Sequence, residues 1–207
     1  KKESLMKEIV LASASPRRKK LFEMMNISCK VDPADIDESI DYSQTPGAIV
    51  NSLAGQKAMA VAERYENAIV IAADTIVVKD GIILGKPADK DDAADILKSL
   101  SGATHHVLTG VSVVESSVDQ KSRKVITFYE KTKVMFSSLD DLEIERYIAT
   151  GSPMDKAGAY GIQDDYGSLF IEKIEGDYYN VVGFPVNAFY QKLKLNQPAL
   201  FKQIFSL

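Results

Sequence analysis

An aspartate, Asp74, interrupts the apolar run from Ala68 to Val78. A carboxylate in such a run is costly to bury unless it is paired, hydrogen-bonded or bound to a cation. Asp74 sits where a buried strand would reach an opening, a usual place for catalytic groups in α/β sheets. The competing reading is a structural aspartate capping a turn.

A second group of residues could hold an anion. Ser13-Ala14-Ser15-Pro16-Arg17-Arg18 follows the short apolar run Ile9-Val10-Leu11. A strand passing through a tight turn into a helix leaves backbone N–H groups unpaired, and these, with the helix dipole, favour negative charge. Ser13 and Ser15 add hydroxyls, and Arg17 and Arg18 add forked donors suited to phosphate oxygens. This reads as a triphosphate cradle without the glycines of a P-loop, or more simply as a capped helix with basic residues in solvent. Glu38 lies in an acidic loop with Asp35 and Asp37, and those two read as solvated surface. Hard oxygen ligands such as Glu38 and Asp74 suit Mg²⁺ or Mn²⁺ bridging phosphate oxygens. Lys57 and Lys86, the latter in Gly85-Lys86-Pro87, offer further positive charge, although either alone more often reads as a surface lysine.

The third group is Asp155-Lys156-Ala157-Gly158-Ala159-Tyr160-Gly161-Ile162-Gln163, whose two glycines allow close backbone approach to a ligand. Gln163 carries one donor and one acceptor group, the pair needed to read the imide edge of uracil or thymine, although a glutamine in a loop is usually only a surface residue. His105 and His106 have no third ligand at a sensible spacing and read as structural.

The elements that must position these residues follow from periodicity and punctuation. Strands are expected over Lys7–Ala12, Ser28–Val31 and Ala68–Val78, with Lys79-Asp80-Gly81 as a turn into Ile82-Ile83-Leu84. Helices are expected over Arg17–Met25, with Ser15 as N-cap, and over about Pro46–Arg64. Another spans Asp89–Leu100, with Gly102 as its stop signal. His106–Glu115 and Val125–Phe136 read as antiparallel strands joined by a polar hairpin at Ser116–Lys124. A helix at Leu139–Ala149, a loop at Ser152–Gly167, a strand at Ser168–Ile174 and closing helices at Pro185–Leu195 and Pro198–Phe205 complete the chain. The mixture indicates an α/β or α+β domain with a mixed sheet.

Composition narrows the function classes. The 207 residues are 45% hydrophobic and 26% charged, enough to bury a core without disulfides or structural metal. A formal charge of −4 provides no global basic field, so nucleic acid is not an expected partner and a small phosphorylated ligand is. Cys29 is the only cysteine, which excludes an intrachain disulfide and a cysteine-based zinc site and leaves a semi-buried structural thiol. The longest apolar run is too short to span a bilayer, and the charged N-terminus lacks a signal-peptide apolar region. A cytoplasmic enzyme without membrane contact is therefore expected, with residues 1–5 as an N-terminal extension.

Taken together, these segments resemble the Maf family of nucleotide pyrophosphatases, also known as septum formation inhibitors. The resemblance runs from Met6 to about Leu195. It is carried by Ser13 to Arg18, Glu38, Lys57, Ala73-Asp74-Thr75, Gly85-Lys86-Pro87, Leu108-Thr109-Gly110, Asp155-Lys156-Ala157-Gly158 and Asn180-Val-Val-Gly-Phe-Pro185. It implies one domain over residues 6–195, with 196–207 as a C-terminal helix or tail. The implied fold is α/β, with an elongated mixed central sheet flanked by helices and a central cleft, similar to the inosine-triphosphate pyrophosphatases, and often a homodimer. The implied reaction is attack of water on the α-phosphorus of a nucleoside triphosphate, assisted by Mg²⁺ or Mn²⁺, with release of pyrophosphate. Position by position, Asp74 corresponds to the general base, and Arg17, Thr75 and Gln163 to the specificity residues. Ser13, Arg18, Lys57 and Lys86 correspond to phosphate contacts, and Glu38, Asp74 and Asp155 to metal-side carboxylates. The Ala-Tyr-Gly-Ile-Gln segment resembles members acting on dTTP and UTP. Asp164-Asp165 depart from the pattern, since a small residue commonly follows the glutamine. A pyrophosphatase for noncanonical purine nucleotides and a nucleotide-binding regulator of septum formation are the alternatives. Intact Asp74, Glu38 and Lys57 argue against the regulator, which has no need of a water-activating carboxylate.

Overall fold

The computed structural model describes residues 7–116, 123–164 and 166–206. The expected N-terminal extension at residues 1–5, most of the expected hairpin at Ser116–Lys124 and Asp165 lie outside the described residues. The chain is a mixed α/β structure with a seven-stranded mixed sheet flanked by helices. The strand order is β2-β1-β3-β5-β6-β7, with β4 paired to β3. It divides into two compact units, and β3 (Ala68–Lys79), β5 (Thr104–Glu115) and β6 (Lys124–Phe136) each contribute residues to both.

One unit consists of the described residues of Lys1–Asp74, Gly110–Tyr129 and Gly183–Leu207. Strand β1 (Glu8–Leu11) pairs in parallel with β2 (Lys30–Val31) on one side and with Ala68–Ile71 of β3 on the other. The second strand is thus only two residues long, shorter than Ser28–Val31. Helix α1 (Pro16–Met24) begins with proline at its first position, where a missing N–H costs nothing, and Ser15 caps it. Side chains alternate along a strand, and Ala68, Val70 and Ala72 of β3 pack with Ala58, Val61 and Ala62 of α2 (Pro46–Ala62). The same alternation directs Asp74 to the α2 face.

The other unit consists of Thr75–Thr109 and Glu130–Val182, as far as described. Here β3 turns back on β4 (Ile82–Leu84) through Asp80 and Gly81, both at positive φ, the geometry that matches a two-residue hairpin to strand twist. Helix α3 (Lys90–Leu100) starts on the Asp89 cap, and α4 (Asp141–Ala149) starts on a capping box made by Asp140 and Glu143. Val77, Leu97, Leu100, Val134, Phe136, Ile144, Tyr147 and Phe170 share the core of this unit.

The expected strand Ser168–Ile174 proves to be two elements. Gly167–Phe170 is a single helical turn, α5, and the strand β7 covers Ile171–Glu175. Ser168 N donates to Asp164 O and Phe170 N to Tyr166 O, so the first half is closed by helical bonds. Periodicity cannot separate a short buried helical turn from a strand, because either accommodates a short apolar run. The short helix α6 (Tyr178–Val182) was not expected, whereas α7 (Val186–Asn196) and α8 (Pro198–Phe205) were. Among the described residues no helix is long and apolar enough to cross a membrane.

Candidate active site

The start of α1 is built by side chains bonding back to its own turn. Ser15 Oγ accepts from Arg18 N at 3.5 Å, and Ser13 Oγ accepts from Ser15 N at 3.2 Å. The Arg18 guanidinium donates through Nη1 to Ser13 Oγ at 3.2 Å and through Nε to the carbonyl of Gly183 at 2.8 Å. Burial pulls this guanidinium below its usual value; Asp74 opposes that pull, Arg17 adds to it and Glu38 opposes it. Arg18 remains a cation, facing two carboxylates, with two of its donors committed to protein acceptors. Ser13, in the loop before the cap, is buried, and Arg17, on the first turn of α1, is half-buried.

Lys57 joins the two carboxylates singled out from the sequence. Its ammonium donates to Asp74 Oδ1 and lies 2.9 Å from Glu38 Oε1. Lys57 and Asp74 are largely buried, at 16% and 14% side-chain exposure, so water screens their attraction poorly, while Glu38 is open to solvent at 37%. Strand alternation explains the meeting: Asp74 continues the face of Ala68, Val70 and Ala72, and Lys57 adjoins Ala58 on the helix packed there. Asp74 is not at a strand end. It lies inside β3, between the stretch paired with β1 and the stretch paired with β4.

Gln56, which sequence reasoning passed over, pins the Glu38 loop. Its amide accepts from Ser39 N at 3.0 Å and donates to Ser39 O at 2.8 Å. The only available signal was its position beside Lys57. Asp35 and Asp37 are exposed, as expected of solvated surface.

Glu38 and Asp74 converge on one point of positive charge, and their hard oxygens suit a divalent cation such as Mg²⁺ or Mn²⁺. Among the described residues no group of three or more His, Cys, Asp or Glu is placed to hold a metal. A cation there would thus be held by these two side chains and would complete its shell with water and phosphate oxygens, the habit of Mg²⁺ in nucleotide sites. Asp155, expected on the metal side, is two-thirds exposed and pairs with Lys156 at 2.6 Å in the other unit.

In that unit Thr75 Oγ1 is 2.9 Å from Thr109 Oγ1, and Thr109 donates to the Asn180 carbonyl at 3.0 Å. A hydroxyl has one proton and a carbonyl only accepts. Thr109 therefore spends its proton on Asn180, and Thr75 is the donor to Thr109. Asn180 is itself buried, donating to Val107 O and Thr132 Oγ1. Thr109 and Asn180 lie in motifs noted in the sequence, but no local pattern revealed that they support Thr75. Lys86 is exposed just after β4, where Gly85 O accepts from Gly158 N at 3.0 Å. Gln163 is exposed on the loop between the last 3₁₀ turn (Ala157–Ala159) and α5. His105, expected to be structural, is buried, 2.7 Å from the Tyr160 hydroxyl and edge-on to Phe136.

The family model of Maf-like proteins matches residues 8–195. A curated relative named dTTP/UTP pyrophosphatase, from Bacillus cytotoxicus, is 48% identical over 189 residues, covering 91% of this chain and 95% of that protein. A relative of the same name from Pelotomaculum thermopropionicum is also 48% identical, over 91% of this chain and 96% of its own. Among solved structures, the Staphylococcus aureus Ham1 protein aligns with 63% of this chain and 72% of its own, at a TM-score of 0.42 and 18% identity. With most of its length matched by the family model and relatives this similar across nearly their whole length, the chain belongs to the Maf-like family.

Proposed function

We propose that this protein hydrolyses dTTP and UTP to the monophosphate and pyrophosphate. The observation that carries the reading is the Lys57 ammonium held between Glu38 and Asp74, in a chain whose relatives bear the name dTTP/UTP pyrophosphatase.

Phosphoanhydride hydrolysis needs charge neutralised on the triphosphate and a water aimed at phosphorus. Asp74 accepts the proton of the attacking water as its oxygen bonds to the α-phosphorus and the bond to the bridging oxygen of pyrophosphate breaks. Lys57 keeps Asp74 and Glu38 from repelling each other and holds Asp74 in place. Ser13 and Arg18 set the shape of the anion-binding turn, while Arg17 and Lys86 add positive charge. Arg17 also serves with Thr75 and Gln163 in choosing the base; the Gln163 amide offers the donor and acceptor that match the uracil or thymine imide edge. A divalent cation held by Glu38 and Asp74 would supply Lewis-acid neutralisation of the phosphate oxygens.

The test is pyrophosphate release from a panel of nucleoside triphosphates with Mg²⁺ or Mn²⁺, comparing the native chain with Asp74→Asn. Turnover of dTTP and UTP is expected, falling on the order of 100-fold or more in the variant. Equal turnover in the variant removes Asp74 as the base. Nucleotide binding without turnover of any nucleotide replaces the enzyme with a binding regulator.

A further inference from the structure

Gln163 is carried on a turn closed from both ends. Asp164 N donates to Gly161 O at 3.0 Å, which makes Gly161–Asp164 a hydrogen-bonded β-turn with Gln163 at its third position. The Asp164 side chain then folds back over the turn. Its Oδ2 accepts from the Tyr147 hydroxyl at 2.9 Å and the Ser152 hydroxyl at 2.7 Å, and lies 3.1 Å from the Lys156 ammonium. The Tyr147 oxygen in turn accepts from Gly161 N at 3.1 Å. One fully buried phenol on α4 thus binds both ends of the turn.

Each part of this arrangement depends on another. A β-carbon at Gly161 would lie 2.7 Å from the Asp164 carboxylate, so only glycine lets that carboxylate close over the turn. Lys156 is 8% exposed at its side chain and needs a counter-charge; Asp155 is 67% exposed, whereas Asp164 is 15% exposed and meets it inside. Burial and the charge of Asp164 hold the Tyr147 phenol well above its usual range, so it stays a donor.

We propose that Asp164 is a positioning residue which, through Tyr147 and Lys156, fixes the turn that presents Gln163 to the base of the bound nucleotide. The inference rests on the base-reading role proposed for Gln163. A glutamine amide offers donor and acceptor in either order. Uracil presents an acceptor at O4 and a donor at N3; cytosine presents a donor at N4 and an acceptor at N3. A loosely held turn lets the amide meet the base in either sense, and a fixed one favours a single order. Asp164 therefore acts on the preference for UTP over CTP.

The experiment measures kcat and KM for UTP and CTP in the full chain and in Gln163→Ala, Asp164→Asn, Tyr147→Phe and the Gln163→Ala/Asp164→Asn double variant. The expected result is a loss of UTP preference of about tenfold in each single variant, carried mainly by KM for UTP. The double variant is expected to lose no more than Gln163→Ala alone, because both act through one amide. A merely structural role would slow both nucleotides alike and add in the double variant. If Asp164→Asn does not fold, Tyr147→Phe keeps the ring packing and carries the test. Full UTP preference in Asp164→Asn or Tyr147→Phe, beside its loss in Gln163→Ala, overturns the positioning role and leaves the base-reading role intact. A native chain without UTP preference, or a Gln163→Ala variant that retains it, removes the base-reading role and the inference with it.

Discussion

Gly110 lies so close to the main-chain carbonyl of Val50 that a β-carbon at position 110 would overlap it. Strand β5 and helix α2 meet there without an intervening side chain, and a backbone obstacle cannot rotate away. Gly110→Ala is expected to lower stability by about 1–3 kcal/mol, read as a lower urea midpoint at unchanged slope. Gly55, on the same helix, has nothing within 4 Å of its position for a β-carbon. Gly55→Ala is expected to stabilise by roughly 0.5–1 kcal/mol. Equal effects at the two positions would contradict the close approach.

Lys57 neutralises two carboxylates at once, so its loss has a signature beyond lower activity. Lys57→Met is expected to reduce pyrophosphate release from UTP on the order of 100-fold and to lower the thermal midpoint, since Glu38 and Asp74 then lose the ammonium held between them. Adding Glu38→Gln to that variant should recover part of the midpoint without recovering activity. Simple addition of the two losses would show that the three groups do not act as a unit.

His105 makes stability depend on pH. Burial pushes its imidazole down to about 4, with His106 and Lys79 adding to the effect. The unfolded chain, near the ordinary value of about 6.5, binds the proton more readily. The stabilisation is therefore complete above about pH 6.5 and is lost as pH falls through about 4, amounting at most to roughly 3 kcal/mol. Urea unfolding from pH 4 to 8 should show this slope in the native chain and a shallower one in His105→Gln; parallel profiles would rule out His105 as its source.

Thr109→Val keeps the shape of the side chain but deletes the hydroxyl that joins Thr75 to the Asn180 carbonyl. A stability loss of about 1–2 kcal/mol is expected from the hydrogen bond to the Asn180 carbonyl that is lost. If Thr75 helps to choose the nucleotide, kcat/KM for UTP should fall roughly three- to tenfold as well. Unchanged kinetics in a destabilised variant would confine Thr109 to a structural part.

Local chemistry made much of the fold readable. Ser15-Pro16 marked the start of α1 because a cap and a fixed φ act within one turn of chain. Asp80-Gly81 marked the hairpin because positive φ is demanded there. The apolar run ending at Val78 marked β3, whose observed end is Lys79. Less readable was the stretch after Gln163, where bonds from Ser168 N to Asp164 O and from Phe170 N to Tyr166 O turn an apolar run into a helical turn before β7. Those bonds depend on how the preceding loop is anchored, which spacing does not report.

The sequence by itself determined the kinds of groups available: a carboxylate in an apolar strand, a capped helix start with two arginines, a glycine-bearing loop with a glutamine, and the family to which the whole order belongs. Only the tertiary structure decided which of them meet. Alternation along β3 sets the face of Asp74, but the packing of α2 on Ala68, Val70 and Ala72 decides that Lys57 stands opposite and draws in Glu38. Likewise, only the fold of the loop over Tyr147 turns Asp164 from a surface acid into the anchor of Gln163. The physical reason is common to both. Caps, turns and periodicity act over a few residues and leave a local trace, whereas a contact between distant side chains exists only once helices and strands have packed.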